Sequence, residues 1–308
     1  MQVVNILTTM KKNLLFFLAA FTLFVSCSKD SVSEIPTPTP PTSTEINKIP
    51  ISISTQITRA TDTKFESGDE VGLFVVNYDG STPGILLSSG NHVDNMRFTY
   101  SGNWTPDEEI YWKDESTKAD FYIYYPYTSG ISNIAALPIA VKTDQSNEVN
   151  NKASDFLWGK NTGIAPTKDA VSMMVKHLTS NIIIKLVPGD GYSVDDLATA
   201  EVDICGLKTN ATVNLTNGEV AATGVSADIT PINEITQYRA LVIPQNVTDI
   251  DLVRIKIGDN TYLLNQSINL LPNKQYTSTI TINRSSQGIN IGIGEWEEDD
   301  MDYGGTVG

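Results

Sequence analysis

From Ile49 onward the sequence keeps returning to one pattern: apolar side chains at every second position, then a cluster of Gly, Asn, Asp or Pro. The first instance is IPISISTQIT, residues 49–58, where Ile49, Ile51, Ile53 and Ile57 share one face. Thr55 fills the one gap in that row, and Ser52, Ser54, Gln56 and Thr58 form the opposite face. A period of two puts successive side chains on opposite sides of an extended chain, so the stretch reads as a half-buried β-strand. Burying four Ile side chains at about 1.5–3 kcal/mol each would contribute roughly 6–12 kcal/mol, against about 5–15 kcal/mol for a whole domain.

Nearly everything downstream reads the same way. VGLFVVNYDG closes on an Asp-Gly turn, and MRFTYSGNW follows it. In ADFYIYYPYT, Phe121, Ile123 and Tyr125 oppose Tyr122 and Tyr124. SNIIIKLVPGDG, ATVNLTNGEV with its Asn-Gly turn, RALVIPQ, LVRIKIGDNTYLLN and YTSTITINR complete the set. Short strands with turn residues between them predict an all-β chain, built as two sandwiches. YSVDDLATA allows at most one or two helical turns, and no internal repeat is clear.

The start of the chain has a different character. Lys11 and Lys12 precede the apolar run LLFFLAAFTLFV, residues 14–25. That run is too short for a hydrocarbon core of about 30 Å, and a basic region before a short apolar one is the pattern of a secretory signal. Met10 is the expected initiator, because MQVVNILTT adds nothing such a signal needs. The run ends in FVSC, similar to the lipobox of bacterial lipoproteins with Phe24 in place of the usual Leu, so Cys27 is the expected lipid anchor. That leaves Cys205, in the apolar run VDICGL, without a disulfide partner and expected as a small core residue. Residues 28–48, with Pro36, Pro38, Pro40 and Pro41 among Ser and Thr, read as a semi-rigid spacer.

Chemistry is thin. The chain has two histidines, His92 and His177, and no HExxH, CxxC, GxSxG, Walker or dinucleotide fingerprint. His177 lies within an apolar strand pattern and is expected as a hydrogen-bonded structural residue. No catalytic residue, metal site, cofactor or enzymatic activity is expected. A net charge of −15 disfavours nucleic acid as a partner. Glu295, Glu297, Glu298, Asp299, Asp300 and Asp302 crowd the C-terminal end. A solvated tail is the simpler reading of them than a Ca²⁺ site, since no EF-hand or RTX spacing is present. The aromatic stretches NWTPDEEIYW and DFYIYYPY fit either a glycan-stacking platform or a strand core, and the core reading is preferred.

Taken in order, TRATDTKFESGDEVGLFV, NWTPDEEIYW, ADFYIYYPY, VKHLTSNIIIKL, LVIPQ, LLPNKQYTSTITI and IGIGEW resemble the fimbrillin (Mfa-like) family of type V pilus subunits and related adhesins. The resemblance spans about residues 50–300, with Asn273-Lys274 where the family usually carries a Gly before the Tyr strand. It implies two tandem transthyretin-like β-sandwich domains. The expected division is residues 1–26 as signal, 27–48 as lipidated cysteine and linker, 49–166 as the first sandwich and 167–308 as the second with its acidic tail.

The resemblance also implies export as an outer-membrane lipoprotein, then a cut after a basic residue that removes the first strand and leaves a groove for a strand of another subunit. Arg59 and Ala60 stand where such a cut would fall, and Ile49, Ile51, Ile53 and Ile57 would leave with it. Ile289, Ile291 and Ile293 in GINIGIGEW repeat the same period. They are either the donor strand or the ordinary last strand of the second sandwich. The expected partners are other pilus subunits, the outer membrane through the lipid, and a glycan or host-protein receptor at the cell surface. A surface lipoprotein that binds such a receptor without polymerising is the alternative.

Overall fold

The computed structural model describes residues 48–57 and 64–284, together with the backbone of residues 291–293 and 297–300. Cys27, Arg59, Ala60 and Ile289 lie outside the described residues.

The chain is all-β. Its first part runs β1 (Ile53–Ile57), β2 (Glu70–Asn77), β3 (Val93–Tyr100), β4 (Trp104–Pro106), β5 (Ala119–Tyr125) and β6 (Leu137–Ala140). A helical turn α1 (Glu148–Lys152) precedes β7 (Leu157–Ile164) and β8 (Val171–His177). Seven of these strands form one sheet in the order β1-β8-β7-β5-β2-β3-β4. β2 and β5 are buried on both faces, which explains their near-continuous apolar sequences. Val71, Leu73, Val75, Phe121 and Ile123 face one hydrophobic cluster, shared with Ile51, Ile53, Trp104 and Trp112. Phe74, Val76, Tyr122 and Tyr124 face another, shared with Ile182, Ile184 and Leu207. β8 has one buried face: Val171, Met173 and Val175 point inward, while Met174 is exposed.

The rest comprises β9 (Ser180–Pro188), α2 (Val194–Ala198), β10 (Glu201–Asn214), β11 (Glu219–Ile229), β12 (Ile232–Glu234), β13 (Gln237–Val242) and β14 (Asn246–Ile257). β15 (Asn260–Asn269), β16 (Lys274–Ile282), β17 (Ile291–Ile293) and β18 (Glu297–Asp300) follow. One sheet is ordered β11-β10-β14-β15, with β6 pairing β10. The other is β12-β13-β9-β16-β17, with β18 also on β16. Ile182, Ile184 and Leu186 of β9 share a core with Ile204, Leu207 and Val213 of β10, so the two sheets pack through their inner faces.

Local chemistry sets the turns. Asn217-Gly218 joins β10 to β11 with Gly218 at φ +75°, the left-handed conformation a tight hairpin demands. Ser193 and Asp196 cap α2 reciprocally, which makes YSVDDLATA the single short helix expected there. The expected division at residue 167 falls in the turn between β7 and β8, two strands of one sheet. Sheet membership changes between His177 and Ser180.

The end of the chain turns back along β16. Ile291 lies opposite Ile282 and Ile293 opposite Ile280, antiparallel. Residues Glu297–Asp300, expected as a solvated tail, have their backbone laddered to Lys274–Thr277.

Candidate functional site

The isoleucine row of residues 49–57 has two partners in succession. Trp112 N–H donates to Ile49 O at 2.9 Å and Ile51 N–H to Ile110 O at 2.8 Å, with Pro50 opposite Tyr111 in an antiparallel bridge. The chain then changes neighbour. Val171 N–H donates to Ser52 O at 2.8 Å, and β1 runs parallel to β8 from Ile53 opposite Val171 to Ile57 opposite Val175. Ile51 and Ile53 are buried at 4% and 5% exposure, while Ile49 and Ile57 are half-buried at the two ends of the row. Two fully buried Ile side chains contribute about 3–6 kcal/mol, half of the amount expected when all four were counted.

Among the described residues β1 has no strand ladder on its other side, because it is an end strand of its sheet and β4 is the opposite end. The sheet curls until these ends meet through side chains. Trp104 Nε1 on β4 donates to Thr55 Oγ1 on β1 at 2.9 Å. Between them lies a cleft of about 350 Å³ lined by Ile53, Thr55 and Ile57 on one wall and Phe65, Tyr100 and Trp104 on the other. Lys64, Gly102 and Asn103 also border it. An edge strand bordering an open cleft is the element of a sheet most readily replaced by another extended chain.

The aromatic wall is braced independently of β1. Phe65 packs edge-on to Trp104 at 4.9 Å and to Tyr125 at 5.8 Å between ring centres, and Tyr100 lies 5.1 Å from Trp104. Lys152 of α1 pairs with Glu66 and, at 3.1 Å, with Asp69, whose Oδ1 also accepts from Tyr125 Oη at 3.3 Å. Burial, followed by the nearby Asp69 and Asp155 charges, holds the Tyr125 phenol protonated well above its ordinary range. The chain on the far side of residues 58–63 is therefore fastened to the body through Phe65, Glu66 and Asp69.

The other residues singled out from the sequence lie elsewhere. His177 Nδ1 and Asp155 Oδ1 are 2.7 Å apart, with side-chain exposures of 1% and 5%, so His177 is a buried hydrogen-bonded residue. His92 Nε2 lies 2.7 Å from Tyr111 O. Cys205 is buried, and burial pushes its thiol up to about 11. Trp104, Trp112, Tyr122 and Tyr124 are core residues, so those aromatic stretches present no stacking platform through them. Among the described residues no cluster of three or more His, Cys, Asp or Glu is placed to hold a metal ion. Sequence reasoning did not find Phe65 and Trp104 as partners of β1. The available signal was Thr55, the one polar break in the isoleucine row, which marks where a donor waits.

Comparisons with known proteins agree with one another. The model of a fimbrillin-like family matches residues 58–296. A protein named fimbrium subunit Fim1C, of Bacteroides uniformis, is 25% identical over 305 residues, covering 93% of this chain and 95% of its own. One named fimbrium tip subunit Fim1C, of Bacteroides ovatus, is 28% identical over 147 residues, 44% of this chain and 26% of its own length. A crystal structure described as that of a cell adhesion protein from Bacteroides uniformis superposes with a TM-score of 0.65 at 21% identity, covering 82% of this chain and 99% of its own. Another such structure, from Bacteroides ovatus, gives 0.66 at 18% identity over 81% and 97%. At these identities the structures establish a shared fold.

Proposed function

The chain belongs to the fimbrillin-like family, and from that premise we propose that it is a structural and adhesive fimbrium subunit assembled by strand exchange. In this reading it is exported as a lipoprotein anchored through Cys27, and a cut between Arg59 and Ala60 frees residues 49–57 with the lipid and spacer. Residues 288–296 of another subunit, with Ile289, Ile291 and Ile293 as the inward row, then take the vacated place. The division into two sandwiches, expected at residue 167, falls in this reading between His177 and Ser180, where sheet membership changes.

The observation that carries the reading is the position of β1. Among the described residues it is an edge strand held by one parallel ladder, and with the short antiparallel stretch before it the segment buries Ile51 and Ile53 in the first core. Such a strand can leave without breaking the sheet apart, and its loss opens an apolar groove that favours refilling. Trypsin treatment of the folded protein tests it. One dominant new N-terminus at Ala60, followed by a ladder of heat-labile polymers, is the expected result. Cutting at other basic sites first, with Arg59 protected, overturns it.

A second reading has its own support. β17 is already laddered to β16 within the same chain, as an ordinary last strand would be. Under that reading the protein stays monomeric after cleavage and binds a glycan or host protein as a surface lipoprotein. Cleaved protein that never polymerises favours it.

A further inference from the structure

Within the strand-exchange reading, on which it rests, we infer that Trp104 and Lys64 read one position of the incoming strand and require a hydrogen-bond acceptor there. Glu295 of a second copy of this chain supplies it. The indole N–H is donor-only, and it sits on a residue that is 8% exposed, with Phe65 and Tyr100 packed against the ring. Its acceptor is Thr55 Oγ1. When residues 49–57 depart, that acceptor departs too. A replacement strand with Ile or Val in the same place would leave the N–H against apolar surface with nothing to bind.

The chain's own C-terminal segment meets this demand. The inward row of the first strand reads Ile51, Ile53, Thr55, and the later segment reads Ile291, Ile293, Glu295 at the same spacing. A strand entering in the direction of β1, with Ile291 in the place of Ile51, brings residue 295 to Trp104. Lys64 borders the same cleft and is exposed. A carboxylate there accepts from the indole and faces an ammonium group, which a threonine hydroxyl cannot exploit as a charge pair. Lys64 is exposed, so a carboxylate reaching it keeps part of its hydration on that side, while one oxygen accepts from the buried indole. The arriving strand is thus better matched at this position than the one it replaces, and the match fixes its register.

The test uses the full chain cleaved after Arg59, with assembly followed by light scattering and by the heat-labile ladder on gels. Glu295→Ile lengthens the apolar row by one. A groove that recognised hydrophobicity alone would then assemble faster, whereas an acceptor requirement slows assembly about tenfold. Glu295→Thr, which restores the residue type of β1, stays within a few-fold of the unaltered chain. Trp104→Phe, checked for an unchanged fold by near-ultraviolet circular dichroism, slows assembly by a similar factor. Adding Glu295→Ile to it brings no further loss. If Glu295→Ile assembles as fast as the unaltered chain or faster, or if the two losses multiply, the inference is overturned while strand exchange stands. If the unaltered cleaved chain forms no polymer, strand exchange itself fails and this inference with it.

Discussion

Gly218, in the turn between β10 and β11, lies directly against the indole of Trp158 on β7. A Cβ at Gly218 would stand 2.5 Å from Trp158 Cε3, closer than a real Cβ can approach. Trp158 Nε1 in turn donates to Leu215 O at 2.9 Å, so the hairpin and the tryptophan fix each other. The contact joins the first sheet to the β10 sheet at one tight point.

Gly218→Ala therefore faces two separate costs. The left-handed φ of +75° disfavours any L side chain by about 1–2 kcal/mol, and the indole must also move. Gly80 is the control, with φ +58° and nothing within 4 Å of its added Cβ. In urea titrations Gly218→Ala should lose at least about 1 kcal/mol more than Gly80→Ala. Equal losses would mean that Trp158 yields without cost.

The buried pair of His177 and Asp155 makes a second prediction. Asp155→Ala removes the partner of a histidine that is 1% exposed and leaves a polar nitrogen in the core. The expected loss is about 3 kcal/mol, with Asp155→Asn losing less because it can still hydrogen-bond. Equilibrium unfolding of the two variants decides it; equal losses would show that the carboxylate charge, rather than the hydrogen bond, is what matters.

Along the first strand the burial gradient sets a gradient in cost. Ile53→Ala should destabilise the uncleaved protein by about 2–4 kcal/mol, and Ile57→Ala by roughly half as much, because Ile57 is only half-buried at the rim of the cleft. Thermal unfolding of the uncleaved chain measures both. Similar losses at the two positions would place Ile57 deeper than its exposure indicates.

Cys205 should be slow to react. Burial raises its thiol to about 11 from the ordinary 9.0, so the folded state favours the protonated form. A pKa raised on folding contributes stability that is complete below the unfolded value and lost as pH rises through the folded one. Here that window is about pH 9 to 11. Alkylation by iodoacetamide at pH 8 should be at least tenfold slower in the folded protein than in urea. Equal rates would place the thiol at the surface.

Export gives a fifth prediction. Cys27→Ala should abolish incorporation of labelled palmitate and leave a precursor that stays unprocessed or is released. Labelling that persists in this variant would move the anchor elsewhere.

The strands were legible because their cause is local. The alternation of Ile49 to Ile57 fixes which side chains face inward whatever the partner, and the burial of Ile51 and Ile53 follows from it. Asn217-Gly218 announced its hairpin for the same reason. What was not legible depends on residues far apart in sequence. The parallel pairing of Ile53 with Val171, and the 49-residue span between Thr55 and Trp104, are consequences of how the sheet curls. No period-two pattern carries that information. α1 was missed for a different reason: Glu148–Lys152 is shorter than any helical periodicity can reveal, and its signal was only the Asn147 cap.

The fastening of Phe65 beside the cleft has a kinetic consequence. While the chain is continuous, β1 is tied to a fixed point only a few residues away, so it competes for its own place at an effective concentration in the millimolar range. A free strand at micromolar concentration would have to bind about a thousandfold more tightly to displace it. Breaking the chain after Arg59 would remove that advantage in one step without touching a contact in the groove, leaving β1 to be retained by its intrinsic affinity alone. Timing would then be set by the protease, and choice of partner by the groove.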